Sequence, residues 1–343
     1  MTDSISTISE LLNAAGANWR IFDMGRKVQK ITSKDFLAIE DTSIPYPYPI
    51  QQHAFFAVLF WQKEQIKAPF IWFLKMPLDE QSKLNQAARN HFATMVLESL
   101  GKNFINEAQT GEELNNNPYV FTPNQNKLAL FNAIVKVELK QPASQYYEHT
   151  RDYLSGVLGW ENWQGVGLQG LADISQRLSF ENNEAIIRDA IDEIPYDVKA
   201  PLAAMLESAN ISTEFAELLL EKINTAIINN ESQDLITYLR MLSNSSASGI
   251  KSQAVSAILN SQLANQIDVL SVIAGRMWSV LVDEELTLTY LEQLATNEQG
   301  FVIFQGLVAD LVAIPTVRPW LLRALRVEHK SPKLTEMVGQ LFR

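Results

Sequence analysis

From Gln141 to Arg343 the chain reads as one amphipathic helix after another, and this succession constrains the fold more than anything else in the sequence. Helices are expected near 143–158, 162–178, 183–193, 197–209, 212–229, 232–243, 248–260, 263–281, 284–296, 299–313, 317–327 and 332–342. Two starts carry physical marks. Asn230 and Gln233 have capping-box spacing, and Ser331 followed by Pro332 is a cap with proline at the first helical position. Starts near 212, 248, 284 and 317 recur every 33 to 36 residues, a spacing that suits one antiparallel helix pair per repeat. No consensus residue repeats at that period, so an irregular helical bundle is the alternative.

The charge is segregated along the same line. Up to Lys140 there are fourteen acidic and fourteen basic side chains; beyond it there are twenty-five acidic and fourteen basic, so the net charge of -11 belongs to the helical part. An acidic surface repels nucleic acid and anionic membranes, which makes nucleic-acid binding unlikely. No run approaches the ~18 apolar residues that span a bilayer. Met1 to Glu10 has no Lys or Arg and no apolar stretch, unlike a secretory leader, so a cytoplasmic protein without membrane association is expected. The chain has no cysteine, which removes disulfides, thiolate metal sites and cysteine nucleophiles.

The first 140 residues are mixed. Thr7 and Glu10 have capping-box spacing, and Gly16 ends the helix they start. Trp19 to Asp23 and Val28 to Ile31 read as strands around a turn at Gly25, and Ser33 is placed to cap a short helix. Pro45, Pro47 and Pro49 alternate with Tyr46 and Tyr48 and force an extended connection. The apolar runs Ala54–Trp61 and Phe70–Met76, separated by a stretch with Lys63, Glu64 and Lys67, predict a hairpin. Neither run alternates cleanly, so both faces should be covered, one by flanking helices and the other by the helical array or a second chain. Asp79 to Leu100 should be a helix. Lys102 to Asn126, with Asn115, Asn116 and Asn117, reads as a connector, and Lys127–Leu139 as a helix. The expected organisation is an α+β domain over 1–140, with a small antiparallel sheet and helices, followed by an all-α, solenoid-like helical-repeat domain over 141–343.

No catalytic, cofactor or metal signature stands out. Gly165, Gly167 and Gly170 match G-x-G-x-x-G, but the residues before them form no strand, so close helix packing or a turn is the favoured reading. The histidines His53, His91, His149 and His329 do not cluster as metal ligands must. Asp192 and Glu193, and the run Asp283, Glu284 and Glu285, are adjacent on helices and point apart, which makes them poor acid–base pairs. Polar groups at strand ends, namely Asp23, Arg26, Lys75, Asp79, Glu80 and Gln81, are the candidate small site. Tyr146, Tyr147, Trp160 and Trp163, together with Tyr153, form an aromatic group that suits either a packing joint between domains or a recognition surface. Arg318, Arg323, Arg326, Lys330, Lys333 and Arg343 make the C-terminal end basic: a polar cap on the array, or a contact for an acidic partner or another copy head to tail.

Three stretches carry a resemblance: Trp19-Arg20-Ile21-Phe22-Asp23-Met24-Gly25-Arg26 with Val28-Gln29-Lys30 after it; Pro45-Tyr46-Pro47-Tyr48-Pro49; and Ile71 to Gln81, IWFLKMPLDEQ. Together they resemble an uncharacterised bacterial domain-of-unknown-function family of gammaproteobacteria, which implies a bacterial cytoplasmic protein and no assigned activity. The array separately resembles HEAT or armadillo repeats in architecture, which implies no particular function. The expected role is a scaffold that holds a protein partner, with a basic one favoured by charge. An enzyme with a site between the two parts is the alternative. A homodimer through the N-terminal domain is a further expectation from the hairpin.

Overall fold

The computed structural model describes residues 5–62, 69–102 and 117–342. Lys63, Glu64, Lys67, Asn115, Asn116 and Arg343, and the connector between 103 and 116, lie outside the described residues. By its contacts the chain forms two compact units, Met1–Pro123 with Ala313–Pro315, and Asn124–Val312 with Thr316–Arg343. A small antiparallel sheet with helices comes first and an all-α unit follows.

Helix α1 (Ile8–Ala14) starts on the expected capping box: Thr7 accepts from the Glu10 amide, and the Glu10 carboxylate turns back onto the Thr7 amide at 3.0 Å. Gly16, at φ +66°, takes the left-handed conformation that ends it. Four strands, β1 (Ala17–Asp23), β2 (Gln29–Ile31), β3 (His53–Gln62) and β4 (Phe70–Pro77), pair antiparallel in the order β2-β1-β3-β4. Ile21 lies opposite Val58, and Val58 opposite Trp72, so the pleat sends one set of side chains to each face.

Ile21, Phe56, Val58, Leu74 and Met76 share one face with Ile8, Leu11, Leu12, Phe36, Ile39, Phe92 and Val96. The latter come from α1, α2 (Ser33–Glu40) and α3 (Gln86–Lys102). Burying one such side chain contributes about 1.5–3 kcal/mol. Phe22, Ala57 and Leu59, on the opposite face, are also fully buried. The hairpin runs fail to alternate because both faces of the sheet are covered. The free edge of β4 is protected by residues 119–121: the Lys75 amide donates to the Tyr119 carbonyl at 2.6 Å and the Phe121 amide to the Phe73 carbonyl at 3.1 Å.

Two expected starts move. The cap of α2 is Thr32, whose side chain accepts from the Asp35 amide, so Ser33 is already helical. The helix expected from Asp79 begins at Gln86. Asp79 instead holds a turn, its Oδ1 accepting from the amides of Gln81 at 2.9 Å and Lys83 at 2.8 Å, with Ser82 at φ +62°. An aspartate that satisfies two amides two and four residues ahead stabilises the turn against the helix.

The second unit holds α4 (Gln125–Glu138), α5 (Tyr147–Leu154), α6 (Leu168–Ser175), α7 (Asn183–Ala190), α8 (Tyr196–Leu206), α9 (Thr213–Asn229), α10 (Ser232–Leu242), α11 (Ser248–Leu259), α12 (Ile267–Arg276), α13 (Glu284–Ala295), α14 (Phe301–Ala313), α15 (Arg318–Ala324) and α16 (Pro332–Leu341). Short 3-10 turns at Trp160–Gly165 and Trp278–Val280 replace the ends of two helices expected to be longer. Each of α8, α9, α10 and α11 packs against the helix next to it or the helix two further on: α8 on α10, α9 on α11, α10 on α12, α11 on α13. Helix α4, placed by the sequence before a boundary at 140, packs on α6 and α8. Side-chain amides join successive pairs: Gln262 Nε2 donates to the Ile227 carbonyl at 2.9 Å, Gln293 Nε2 to Leu259 at 3.1 Å, and Asn297 Nδ2 to Asn265 at 2.6 Å.

Acids occupy the first turns of α5, α7, α8, α9, α10, α12 and α13, and arginines the last turns of α5, α7, α10, α12 and α15. Much of the acidic excess therefore complements helix dipoles. Asn230 corrects the expected capping box: at φ +60° it closes the C-terminus of α9, and α10 begins after Glu231 without a side-chain cap. Ser331 does cap α16, its Oγ accepting from the Leu334 amide at 3.1 Å.

Candidate functional site: an acidic turn edge of the helical unit

The strand-end residues divide into two groups. Asp23 is fully buried at the end of β1, where its Oδ1 accepts from the Gly25 amide at 2.8 Å and from the Tyr46 hydroxyl, and its Oδ2 from the Lys27 amide at 3.2 Å. Arg26, 3% exposed, donates through Nε to the Pro49 carbonyl at 3.0 Å. The alternating Pro-Tyr segment is thus fastened to the β1–β2 turn by Tyr46 and by Pro49. Burial raises the Tyr46 phenol well above its ordinary value, and the Asp23 charge adds to the shift. Lys75 lies half-buried with its ammonium 5.7 Å from the Phe55 ring centroid, and Asp79, Glu80 and Gln81 lie exposed on the turn after β4. In this geometry the buried carboxylate serves the backbone and a phenol, and the exposed ones hold or flank a turn.

The aromatic group sits at the start of the helical unit. Tyr147 is buried, its hydroxyl accepting from Asn183 Nδ2 at 2.8 Å and lying 3.3 Å from a Glu181 oxygen, whereas Tyr146 is 50% exposed. Tyr153 meets Trp160 edge-on at 5.7 Å and donates to its carbonyl at 3.1 Å. Trp163 is half-buried in the 3-10 turn. The glycines nearby serve packing. A Cβ on Gly170 would meet Thr150 Oγ1 at 1.9 Å and the Tyr146 carbonyl at 2.8 Å, and one on Gly165 would meet the His149 ring at 2.7 Å. No strand precedes them, so the G-x-G-x-x-G spacing marks the close approach of α5 and α6.

A different group forms where α7 turns into α8 and α9 into α10. Asp192 and Glu193 are exposed on the first turn, followed by Tyr196, 46% exposed, and Asp197. Ile228, 79% exposed, closes α9, with Glu231 and Asp234 three and six residues on. Three of these carboxylates, Asp192, Glu231 and Asp234, act on Tyr238. Its hydroxyl is pushed up to about 12, first by burial, then by the charges of Asp234, Asp192 and Glu231. Two lysines answer part of the charge: Lys222 pairs with Asp192 at 2.5 Å, and Lys199 Nζ lies 3.5 Å from the Tyr238 hydroxyl. The side-chain carboxylates of Glu193 and Asp197 have no hydrogen-bond or ion-pair partner among the described residues.

The edge therefore presents net negative charge around two exposed apolar side chains, the make-up of a surface that binds a cationic and partly apolar segment. Asp192 and Glu193 were visible in the sequence only as a poor catalytic pair. Their value comes from Glu231 and Asp234, which a turn of helix packing brings beside them, and only the repeat spacing could have signalled that.

Grooves open elsewhere in the unit. One of about 560 Å³ is lined by Gln176, Ser179, Glu184, Asn210, Ser212 and Ser246, and one of about 720 Å³ by Glu284, Pro319, Leu322, Arg323, Arg326 and Val327 among others. Among the described residues no three His, Cys, Asp or Glu side chains are placed to hold a metal ion, and no helix is long and apolar enough to cross a membrane. No curated protein and no solved structure matches the chain. A family sequence model described as protein of unknown function, DUF3549, matches residues 3–342, nearly the whole chain, and the chain belongs to that family.

Proposed function

We propose that the protein is a scaffold whose helical unit is a repeat array of the HEAT type and holds a basic protein segment along its acidic turn edge. The observation that carries this reading is that exposed Tyr196 and Ile228 stand three or four residues in sequence from Asp192 and Glu231, two of the carboxylates that act on Tyr238. Packing of α8 on α10 and of α9 on α11 supports the repeat architecture, because stacking by twos keeps like turns on one edge. An aromatic and an aliphatic anchor within like charge give a partner both contact area and electrostatic steering.

The test is to tag the chain in its native host and identify what co-purifies at about 50 mM and about 300 mM salt, a range over which screening of exposed charges changes strongly. A stoichiometric basic partner, retained in low salt, depleted in high salt and lost from a Glu193→Lys, Glu231→Lys variant, is the expected result. A partner indifferent to both salt and substitution would sink the electrostatic part of the reading.

A further inference from the structure

One lysine of the helical unit is drawn into the protein without a counter-ion. Lys251, at the start of α11, is half-buried, and its Nζ donates to the Ser279 hydroxyl in the Trp278–Val280 turn at 3.4 Å. No carboxylate lies within ion-pair distance of that ammonium among the described residues. The elements packed against α11 are α9, α13 and the Trp278–Val280 turn. On α9, Glu214 is held by Arg188 and Lys222 by Asp192; on α13, Glu284 is held by Arg323 and Glu292 by Ser331. Asp283 caps α13, Glu217, Glu221 and Glu285 are exposed, and the turn carries no charge.

Lys222 and Lys333, by contrast, sit on carboxylates at 2.5 and 3.0 Å. A carboxylate holds an ammonium in its charged form, whereas a hydroxyl accepts from the charged and the neutral amine alike. Withdrawal from water with only a hydroxyl for company favours the neutral amine, and burial lowers the basicity of Lys251 below its ordinary value. The neutral amine is the nucleophile. Ser279, its one polar neighbour, is exposed, so the pair opens to solvent. We propose that Lys251 is an acylation site of this chain and takes its acyl group from an acyl thioester. The Nζ lone pair adds to the thioester carbonyl carbon, and the carbon–sulfur bond breaks. The nitrogen gives up one proton, and the departing thiolate takes it to become a thiol. Ser279 is a positioning residue, which accepts one N–H and keeps the lone pair free. Nothing in this step depends on the acidic edge or on a protein partner.

The experiment is to incubate the full chain at neutral pH with the acetyl thioester of N-acetylcysteamine and to follow each lysine by peptide mass spectrometry. Lys251 should be acetylated about threefold or more faster than the exposed Lys34 and Lys140, because free amine at a fixed pH rises as basicity falls. Ser279→Asp sets a carboxylate beside the ammonium. Acetylation of Lys251 should then drop about threefold or more, with Lys34 and Lys140 unchanged. Lys251→Met removes a charge that the fold has to desolvate and breaks no ion pair, so its thermal midpoint should equal or exceed that of wild type. Lys251 reacting no faster than Lys34 and Lys140 in the wild-type chain would overturn the proposal, and this arm needs no variant to fold. Lys251 reacting in the Ser279→Asp chain as it does in wild type, or a Lys251→Met chain of clearly lowered midpoint, would overturn it as well, since either would show that a missing counter-ion is not what sets this amine apart.

Discussion

Arg276 donates through Nε to Glu207 at 2.7 Å across 69 positions of sequence, and Arg240 donates to the other oxygen of the same carboxylate. One glutamate at the end of α8 thus ties together the last turns of α10 and α12. Both arginines are about a third exposed, with side-chain exposures of 28% and 29%, while Glu207 is 9% exposed, so solvent screens the pairs only in part. Glu207→Ala should destabilise the helical unit by about 1–3 kcal/mol in denaturant titration. Arg240→Ala and Arg276→Ala should be non-additive, because they share the acceptor.

Gly170 and Gly167 should respond oppositely to alanine. At Gly170 the new methyl would collide with Thr150 and with backbone at Tyr146, whereas at Gly167 nothing lies within 4 Å. Gly170→Ala should cost about 1–3 kcal/mol in thermal or denaturant unfolding and Gly167→Ala close to nothing. Equal effects would show that the close approach of α5 and α6 is not what requires glycine.

Glu40 is buried, and its carboxylate accepts from the Ile8 amide at 2.8 Å and the Ser9 amide at 3.2 Å, capping α1 from the end of α2. Burial raises its carboxyl above the ordinary value, more than those hydrogen bonds lower it. The folded state therefore holds this proton more tightly than the unfolded chain does, so its contribution is greatest below the ordinary carboxyl range and is lost as pH rises through the raised value. Glu40→Gln should remove that pH dependence and, because it keeps an acceptor for only one of the two amides, should cost less than loss of both. Glu40→Ala, which leaves two amides without an acceptor, should cost about 1–3 kcal/mol. Urea midpoints measured across the acidic range distinguish the two.

The local elements were legible where chemistry is local. Thr7 with Glu10 and Ser331 with Pro332 specify helix starts through bonds within one turn, and both caps form as the sequence suggests. The hairpin of β3 and β4 was legible from two apolar runs, and the small antiparallel sheet followed by helices stands as expected. What local pattern could not supply is competition between neighbours. Asp79 has the composition of a helix start, but its side chain finds two turn amides first; Asn230 has capping spacing, but the chain needs a left-handed residue there to end α9. The candidate site was less legible still. Asp23 looks like a polar strand end until Tyr46, 23 residues away, closes over it; Asp234 is legible as the i−4 neighbour of Tyr238, but Asp192, 46 residues away, shows no sign in sequence.

Tyr46 and Tyr238 make two different alkaline predictions. Both phenols are raised, so each favours folding below the ordinary tyrosine range and loses that contribution as pH climbs through its raised value. For Tyr238 the cause includes Asp234 and Glu231, so Asp234→Asn with Glu231→Gln should bring its tyrosinate absorbance in at lower pH than about 12. The Tyr46 signal should not move. Tyr46→Phe, by contrast, should cost about 1–3 kcal/mol, since the buried Asp23 carboxylate loses its hydroxyl donor.

Because α8 through α11 find their main partners one or two helices along the chain, most of what each helix needs is nearby in sequence. During synthesis a helix leaving the ribosome would find its first docking surface already made, and little of the unit would have to wait for the last residues. Contacts so short in sequence also close cheap loops, which makes rapid, stepwise assembly the natural route. The carboxylate of Glu207 is the exception: it stays half-satisfied until α12 arrives, and so acts as a timing mark in the order of assembly.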